Sequence, residues 1–240
     1  MIINTFNAAW FIMFAVQIAL ILFLYFLCKG KTEKFKVRVM TVFYIFLVVF
    51  YIVYKWYLIS PVSPYETSLW LELPLALCQV ASFLALPAIR SRNRVLMGFC
   101  FLVGSICSLL AMLMPSPGFS DIPLLCGESI GFYGFHGLVF VQSIAIYVIG
   151  LYNPCVKDAP KVALLLGVFA LIAHGINFVL RSTVCDKANY FFTYDPDGNP
   201  ILGLIRQYID INYVYLLPFL VPAGLVFALL ALILHKKEKT

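Results

Sequence analysis

Residues 8–28 read AAWFIMFAVQIALILFLYFLC, and the ten residues that follow read KGKTEKFKVR. The first stretch is almost free of polar side chains. A helix of that length rises about 30 Å, which is the thickness of the hydrocarbon core of a bilayer. The second stretch is strongly basic. A long apolar run followed by a basic segment indicates a retained membrane span and not a cleaved signal peptide.

Six further apolar runs of similar length follow the first. The chain has 240 residues, of which 63% are hydrophobic and only 12% charged, whereas a soluble domain carries about 25% charged residues. The sequence therefore predicts an all-α, polytopic transmembrane helix bundle of about seven spans, with residues 1–240 forming a single membrane domain. The predicted spans cover 8–28, 39–59, 71–89, 95–114, 133–153, 161–180 and 214–234.

Basic residues cluster in alternate loops, so the net charge of +6 is a topology signal and not a sign of nucleic-acid binding. Cytoplasmic loops carry the excess of Lys and Arg. The pattern predicts that the N-terminus lies outside and the C-terminus in the cytoplasm. The loops that we place inside carry Lys29, Lys31, Lys34, Lys36, Arg38, Arg90, Arg92, Arg94, Lys157, Lys161, Lys236, Lys237 and Lys239; those outside carry Arg181, Lys187 and Arg206.

The seven cysteines do not form the pattern of a disulfide scaffold, because most of them lie in or beside spans, where Cys behaves as a small hydrophobe. Cys126 and Cys185 both fall in predicted outer loops. They can pair if the outside is oxidising, or stay free, and the sequence leaves both alternatives open.

Polar side chains inside the spans are few, and such groups are costly unless they face a protein interior or a cavity. We expect Cys78 about 10 Å and His136 about 6 Å below the outer boundary, at 1.5 Å per residue. These depths agree within the error of the span boundaries. The polar set consists of Glu72, Cys78, Gln79, His136, Gln142, His174, Asn177 and Arg181.

A thiol and an imidazole at one depth can act as a nucleophile and its base. On span six, His174, Asn177 and Arg181 are spaced i, i+3 and i+7, so they share one helix face. Each residue also has a purely structural interpretation: a buried Cys packs, a lone His or Asn bonds a neighbouring helix, and Arg181 reaches toward lipid phosphate. The spacings match no zinc signature, and we expect no metal and no other cofactor.

The outer loops are longer than the inner ones, which points to the outer face as the functional one. The last of them contains the apolar stretch 201–205, which predicts a short helix on the membrane surface. A hydrophobic loop plug explains the stretch equally well.

Leu73-Pro74-Leu75-Ala76-Leu77-Cys78 resembles the Leu-Pro-Leu-His-Leu-Cys signature of the YwaF-like bacterial integral membrane proteins. Ala76 departs from that signature, because many relatives carry His there. The resemblance covers most of residues 65–230 and implies a multi-pass protein of a bacterial cell membrane. The other landmarks that fit are Pro115-Ser116-Pro117-Gly118, Phe135-His136-Gly137, Asn177 and Asn189-Tyr190.

Animal relatives of that family are transmembrane acyltransferases that remodel ether phospholipids, with a Cys and a His as the proposed catalytic pair. By motif this pair corresponds to Cys78 and His136 here. The resemblance implies acyl transfer or acyl hydrolysis on membrane phospholipids through an acyl-thioester. We expect Gln79, His174, Asn177 and Arg181 to bind the substrate. A small-molecule transporter and a non-catalytic lipid-binding scaffold remain the alternatives.

Overall fold

The computed structural model describes residues 1–115 and 117–235, so Ser116 of the Pro-Ser-Pro-Gly motif and the lysines at 236, 237 and 239 lie outside the described residues. Eight α-helices and one short two-stranded sheet form this part of the chain. The helices are α1 (Ala8–Cys28), α2 (Glu33–Ile59), α3 (Leu77–Ser91), α4 (Arg94–Leu113), α5 (Gly127–Val148), α6 (Ala159–Thr183), α7 (Pro200–Tyr208) and α8 (Leu217–Leu234); the strands are β1 (Ile2–Ile3) and β2 (Ile122–Pro123).

Six of these helices are long and apolar enough to cross a membrane, and α3 is a shorter apolar helix. The prediction of an all-α, multi-pass membrane bundle is confirmed. The α1 boundaries match the predicted span 8–28 at both ends. The orientation of the bundle in the bilayer stays a prediction.

Helix α3 begins at Leu77, so the predicted start of span three at Leu71 was wrong by six residues. Two features keep the helix from starting before Leu77. Pro74 has no backbone N–H, and it disfavours helical backbone in the residue before it. In addition, the Tyr190 hydroxyl accepts from the Leu73 N–H at 3.0 Å and donates to the Trp70 carbonyl at 2.7 Å. These backbone groups are therefore committed outside a helix.

Helix α5 begins at Gly127, six residues earlier than the predicted start of span five at 133. Cys126 caps the helix, since its sulfur accepts from the Ser129 N–H at 3.4 Å. Gly127, Gly131 and Gly134 therefore all lie inside α5. Their spacing suits one face of a helix, and the aromatic residues that pack there are not visible from the local sequence.

The chain divides into two compact units, residues 1–68 with 77–152, and residues 69–76 with 153–240. Helices α1 to α5 belong to the first unit. There the rings of Tyr54 and Phe50 on α2 occupy the space beside Gly131 and Gly134 on α5. A side chain at either glycine would push the helices apart, so the missing Cβ atoms set the close approach of α2 and α5. The single-domain organisation stays a prediction.

Helices α6, α7 and α8 belong to the second unit, in which α6 packs on α8. Helix α7 confirms that a helix forms over 201–205. Its Leu202 is buried with Tyr215 and Leu216, whereas Ile201 and Leu204 are exposed. One apolar edge of α7 thus faces away from the protein, and its place at the membrane surface stays a prediction.

Contacts between loops agree with the alternation of spans. In the first unit, β1 before α1 pairs with β2 between α4 and α5, so these two segments lie at one end. Glu33 and Arg92 form an ion pair of 2.7 Å, which joins the loops before α2 and after α3. In the second unit, the His235 imidazole lies 2.8 Å from the Pro154 carbonyl. All seven cysteines are free thiols.

Gly131→Ala should destabilise the first unit, because the new methyl group would occupy the position of the Tyr54 ring. We expect the free energy of unfolding to fall by about 1–3 kcal/mol, the usual cost of overpacking. Thermal unfolding in detergent measures it. Gly175→Ala on α6 is the matched control, since a Cβ there meets no atom within 4 Å. Equal unfolding temperatures for the two variants would contradict the packing role of Gly131.

Candidate active site

Cys78 occupies the second position of α3 and is 93% buried, with 7% of its surface exposed. The first turn of α3 contains the backbone N–H groups of Cys78 and Gln79. The first N–H groups of a helix have no carbonyl partner within that helix and carry its positive dipole end. The thiol therefore sits at a helix N-terminus.

His136 lies on α5 and contacts the thiol. The distance from its Nε2 to the Cys78 Sγ is 3.5 Å. Its Nδ1 lies 2.8 Å from the Phe132 carbonyl, and since a carbonyl only accepts, the proton of the neutral ring is on Nδ1. The Nε2 atom then has a free lone pair directed at the thiol, which is the arrangement of a general base and its nucleophile. The expectation that Cys78 and His136 meet is confirmed as geometry.

Aromatic rings pack around the imidazole. The Phe132 ring centroid lies 4.4 Å and the Phe135 centroid 5.6 Å from that of His136. Phe119 stacks on Phe132 at 4.5 Å, and Tyr65 packs on Phe119 at 4.8 Å. These rings keep bulk water away from the pair, which strengthens electrostatic interactions within it.

Helices α3 and α4 set the position of the thiol from the other side. A Cβ added at Gly104 of α4 would lie 3.3 Å from the Ala81 Cβ of α3, so these residues face each other across an antiparallel pair. One turn along each helix, Cys78 faces Cys107 by the same register. The site thus contains a second thiol.

The structure places the expected substrate-binding residues in both units. Gln79 is buried in the first turn of α3, next to Cys78 in the first unit. His174, Asn177 and Arg181 all lie on α6 in the second unit. Their roles toward substrate stay predictions.

Asn177 organises the loop after α6. Its amide oxygen accepts from the Tyr190 N–H at 2.9 Å, and its Nδ2 donates to the Tyr190 carbonyl and the Thr193 hydroxyl, both at 2.8 Å. Asn177 is fully buried. Burial also raises the pKa of the Tyr190 phenol, which therefore stays protonated while it donates to Trp70. These bonds give Asn177 a structural role that explains its place in a membrane helix.

His174 and Arg181 contact the same loop. The His174 ring is stacked between Tyr194 at 4.9 Å and Tyr213 at 5.7 Å. Arg181 donates to the Ala188 carbonyl at 3.1 Å, and its guanidinium lies 4.7 Å from the Tyr194 ring centroid. The prediction that these residues share one face of span six is therefore confirmed. The side chains of His174, Asn177 and Arg181 all contact residues 188–194 or Tyr213.

Two charged residues of the first unit were missed as site candidates. Lys55 lies inside the predicted span 39–59, but it was not among the polar residues singled out there, although an ionisable residue in a span signals function. Glu128 is buried at the start of α5, where the Tyr57 hydroxyl donates to it at 2.6 Å and the Ser63 hydroxyl lies at 3.3 Å. Glu128 was missed because the predicted start of span five, at 133, is six residues too late, so that Glu128 fell in a predicted loop.

Across the described ranges 1–115 and 117–235, no group of three or more His, Cys, Asp or Glu side chains lies close enough together to hold a metal ion.

Residues 4–234 match the TMEM164 family. The chain belongs to the TMEM164 family. This match covers nearly the whole chain, including both Cys78 and His136, and it agrees with the multi-pass architecture described above. No curated protein and no solved structure matches this TMEM164 family member.

Asn177→Ala should loosen the loop after α6, because it leaves the buried Tyr190 N–H and carbonyl without partners. We expect a loss of at least about 2 kcal/mol of unfolding free energy, since each unsatisfied buried group costs about 1–3 kcal/mol. Limited proteolysis within residues 185–199 would measure the opening. Ser182→Ala is the control, because that exposed hydroxyl bonds only carbonyls of α6. Equal rates of proteolysis in both variants would contradict the proposed role of Asn177 in holding this loop.

Proposed function

We propose that the protein is a membrane-embedded lipid acyltransferase or acyl hydrolase in which Cys78 is the nucleophile and His136 the general base. The observation that carries this proposal is the 3.5 Å contact between the Cys78 sulfur and the Nε2 of His136. The tautomer set by the Phe132 carbonyl supports it, because it leaves Nε2 able to take a proton.

In the first half-reaction, Nε2 of His136 accepts the proton of the Cys78 thiol. The thiolate is the reactive form of cysteine, and it attacks the carbonyl carbon of a phospholipid acyl ester. The tetrahedral intermediate collapses as the C–O bond to the glycerol oxygen breaks. His136 returns its proton to that oxygen, so a lysolipid leaves and the acyl group remains on Cys78 as a thioester.

The negative charge that develops on the carbonyl oxygen needs donors. Backbone N–H groups at the first turn of α3 are the donors that the fold offers beside the sulfur, and the positive end of the helix dipole adds to them. Gln79, in the same turn, is the side chain closest in sequence to this position. We assign it the same role.

In the second half-reaction, an alcohol of a second lipid or a water molecule attacks the thioester while His136 takes its proton. A lipid alcohol completes a transfer and water completes a hydrolysis. The buried, ring-covered imidazole disfavours bulk water, which supports transfer.

The resemblance of residues 73–78 and 135–137 to the YwaF-like proteins supports the same assignment, together with a bacterial cell membrane as the location. His174, Asn177 and Arg181 are also proposed to bind substrate. This assignment has less support than that of Cys78 and His136, because each of the three already holds the loop after α6. Membership of a family alone does not carry an activity, and the assignment depends on the Cys78–His136 geometry.

Cys78→Ser and Cys78→Ala should abolish lysolipid release from phosphatidyl lipids by at least about a thousandfold, because neither variant has a thiolate. His136→Asn should lower the rate about a hundredfold or more, the usual worth of a general base. Mass spectrometry of lysolipid and acyl product in proteoliposomes measures both rates.

Cys100→Ala is the matched control, since Cys100 is an equally buried thiol on α4 that no step uses. It should release lysolipid at the wild-type rate. Wild-type turnover by the folded Cys78→Ala variant would overturn the proposal.

A further inference from the structure

Lys55 places an ammonium group within the membrane-spanning part of the first unit. It lies on α2 in the last turns before Ile59, and it is half-buried. A charged side chain within a span is costly and as a rule serves a function. The acyl-transfer steps described above do not use it, so its purpose needs a separate explanation.

Helix packing places Lys55 on the same side of the α2–α3 contact as the thiol. The rings of Tyr51 on α2 and Phe83 on α3 are in edge contact at 5.2 Å. Lys55 lies one turn after Tyr51, and Cys78 lies a little more than one turn before Phe83. In an antiparallel pair of helices both residues therefore lie toward the end at which α2 finishes and α3 begins.

The direction of the side chain agrees with this placement. Side chains on a helix lean toward its N-terminus, and the Lys55 Nζ lies 5.7 Å from the Tyr51 ring centroid and 5.1 Å from that of Tyr54. The Tyr51 ring also packs on Phe135 at 5.0 Å, directly before His136 in sequence. The ammonium is thus held beside two tyrosine rings, of which Tyr51 contacts both α3 and α5, the helices that carry Cys78 and His136.

We propose that Lys55 is the cationic positioning residue of this site, and that its ammonium stabilises negative charge on the Cys78 sulfur and on the oxyanion that forms beside it. The part that concerns the oxyanion rests on the proposed function. The part that concerns the thiolate does not, because it holds for any chemistry of Cys78.

Three titratable groups are brought toward Cys78 by the helices packed against α3: Lys55 on α2, Cys107 on α4, and His136 on α5, whose Nε2 lies 3.5 Å from the sulfur. Lysine is the residue type among them that ordinarily carries a positive charge at neutral pH. Exchanging it for an uncharged residue should therefore move the titration of the thiol upward in pH, whereas an arginine should not.

The test is the pH profile of alkylation of Cys78 by N-ethylmaleimide, a neutral reagent, on the full-length protein in detergent, with peptide mass mapping to separate Cys78 from Cys107. Lys55→Met and Lys55→Gln should move the midpoint up by about one pH unit, as expected for the loss of one nearby opposite charge. At neutral pH this means about tenfold slower alkylation. Lys55→Arg should keep the wild-type midpoint.

Two controls separate charge from structure. Lys187→Met removes an exposed loop lysine and should leave the profile unchanged, and alkylation of Cys100 should be the same in every variant. Unfolding temperatures are measured first, and Lys55→Gln replaces Lys55→Met if the latter unfolds earlier than the wild type.

An unchanged midpoint in the neutral variants would overturn the proposal, as would Lys55→Arg shifting as far as Lys55→Gln, because shape and not charge would then matter. Failure of the proposed function gives a different result. If the protein is not an acyltransferase or acyl hydrolase, the midpoint still shifts in Lys55→Gln, but no acyl group is found on the wild-type Cys78 thiol.

Discussion

The close approach of helices at glycine positions is the constraint on which the first unit depends. Gly131 and Gly134 of α5 receive the rings of Tyr54 and Phe50 from α2, and Gly104 of α4 faces Ala81 of α3. In a bilayer, apolar burial gives little drive for helix association, so packing at small residues decides which helices meet. Gly104 also faces Ser143 of α5, so α4 holds α3 and α5 side by side, and the meeting of Cys78 with His136 follows from this packing.

The position of Cys78 depends on a second constraint, the late start of α3. Pro74 and the backbone bonds of Trp70 and Leu73 to the Tyr190 hydroxyl end the helix at Leu77. The thiol consequently lies in the first turn of a helix within the membrane, where unpaired N–H groups and the helix dipole are available to an anion. A continuous span from Leu71 would have placed the same thiol against carbonyl-paired backbone, which offers no such donors.

Hydropathy and charge predicted most of the fold, because span length and loop charge are local properties of the sequence. The α1 boundaries agree to the residue. Equal depth made a contact between Cys78 and His136 possible, but the sequence did not show that their helices are neighbours. What failed has a physical reason in each case. The start of α3 depends on Tyr190, more than 110 residues away, and the start of α5 was placed too late because the α2 rings that cover its glycines are distant in sequence. Helix periodicity predicted that His174, Asn177 and Arg181 share one face of span six. It could not predict their contacts with the loop after α6, because those contacts depend on how the loop folds back.

The central claim is that the Cys78 sulfur takes an acyl group from membrane lipid. The most direct test is the intact mass of the protein purified from its own membranes, with and without hydroxylamine, beside the Cys78→Ala variant. The account predicts a fatty-acyl mass on the wild-type protein that hydroxylamine removes and that the Cys78→Ala variant lacks. The fraction of protein that carries this mass rises in His136→Asn if that substitution slows hydrolysis of the thioester more than its formation. A protein that carries no such mass after incubation with phospholipid, in the wild type and in His136→Asn alike, would contradict the account.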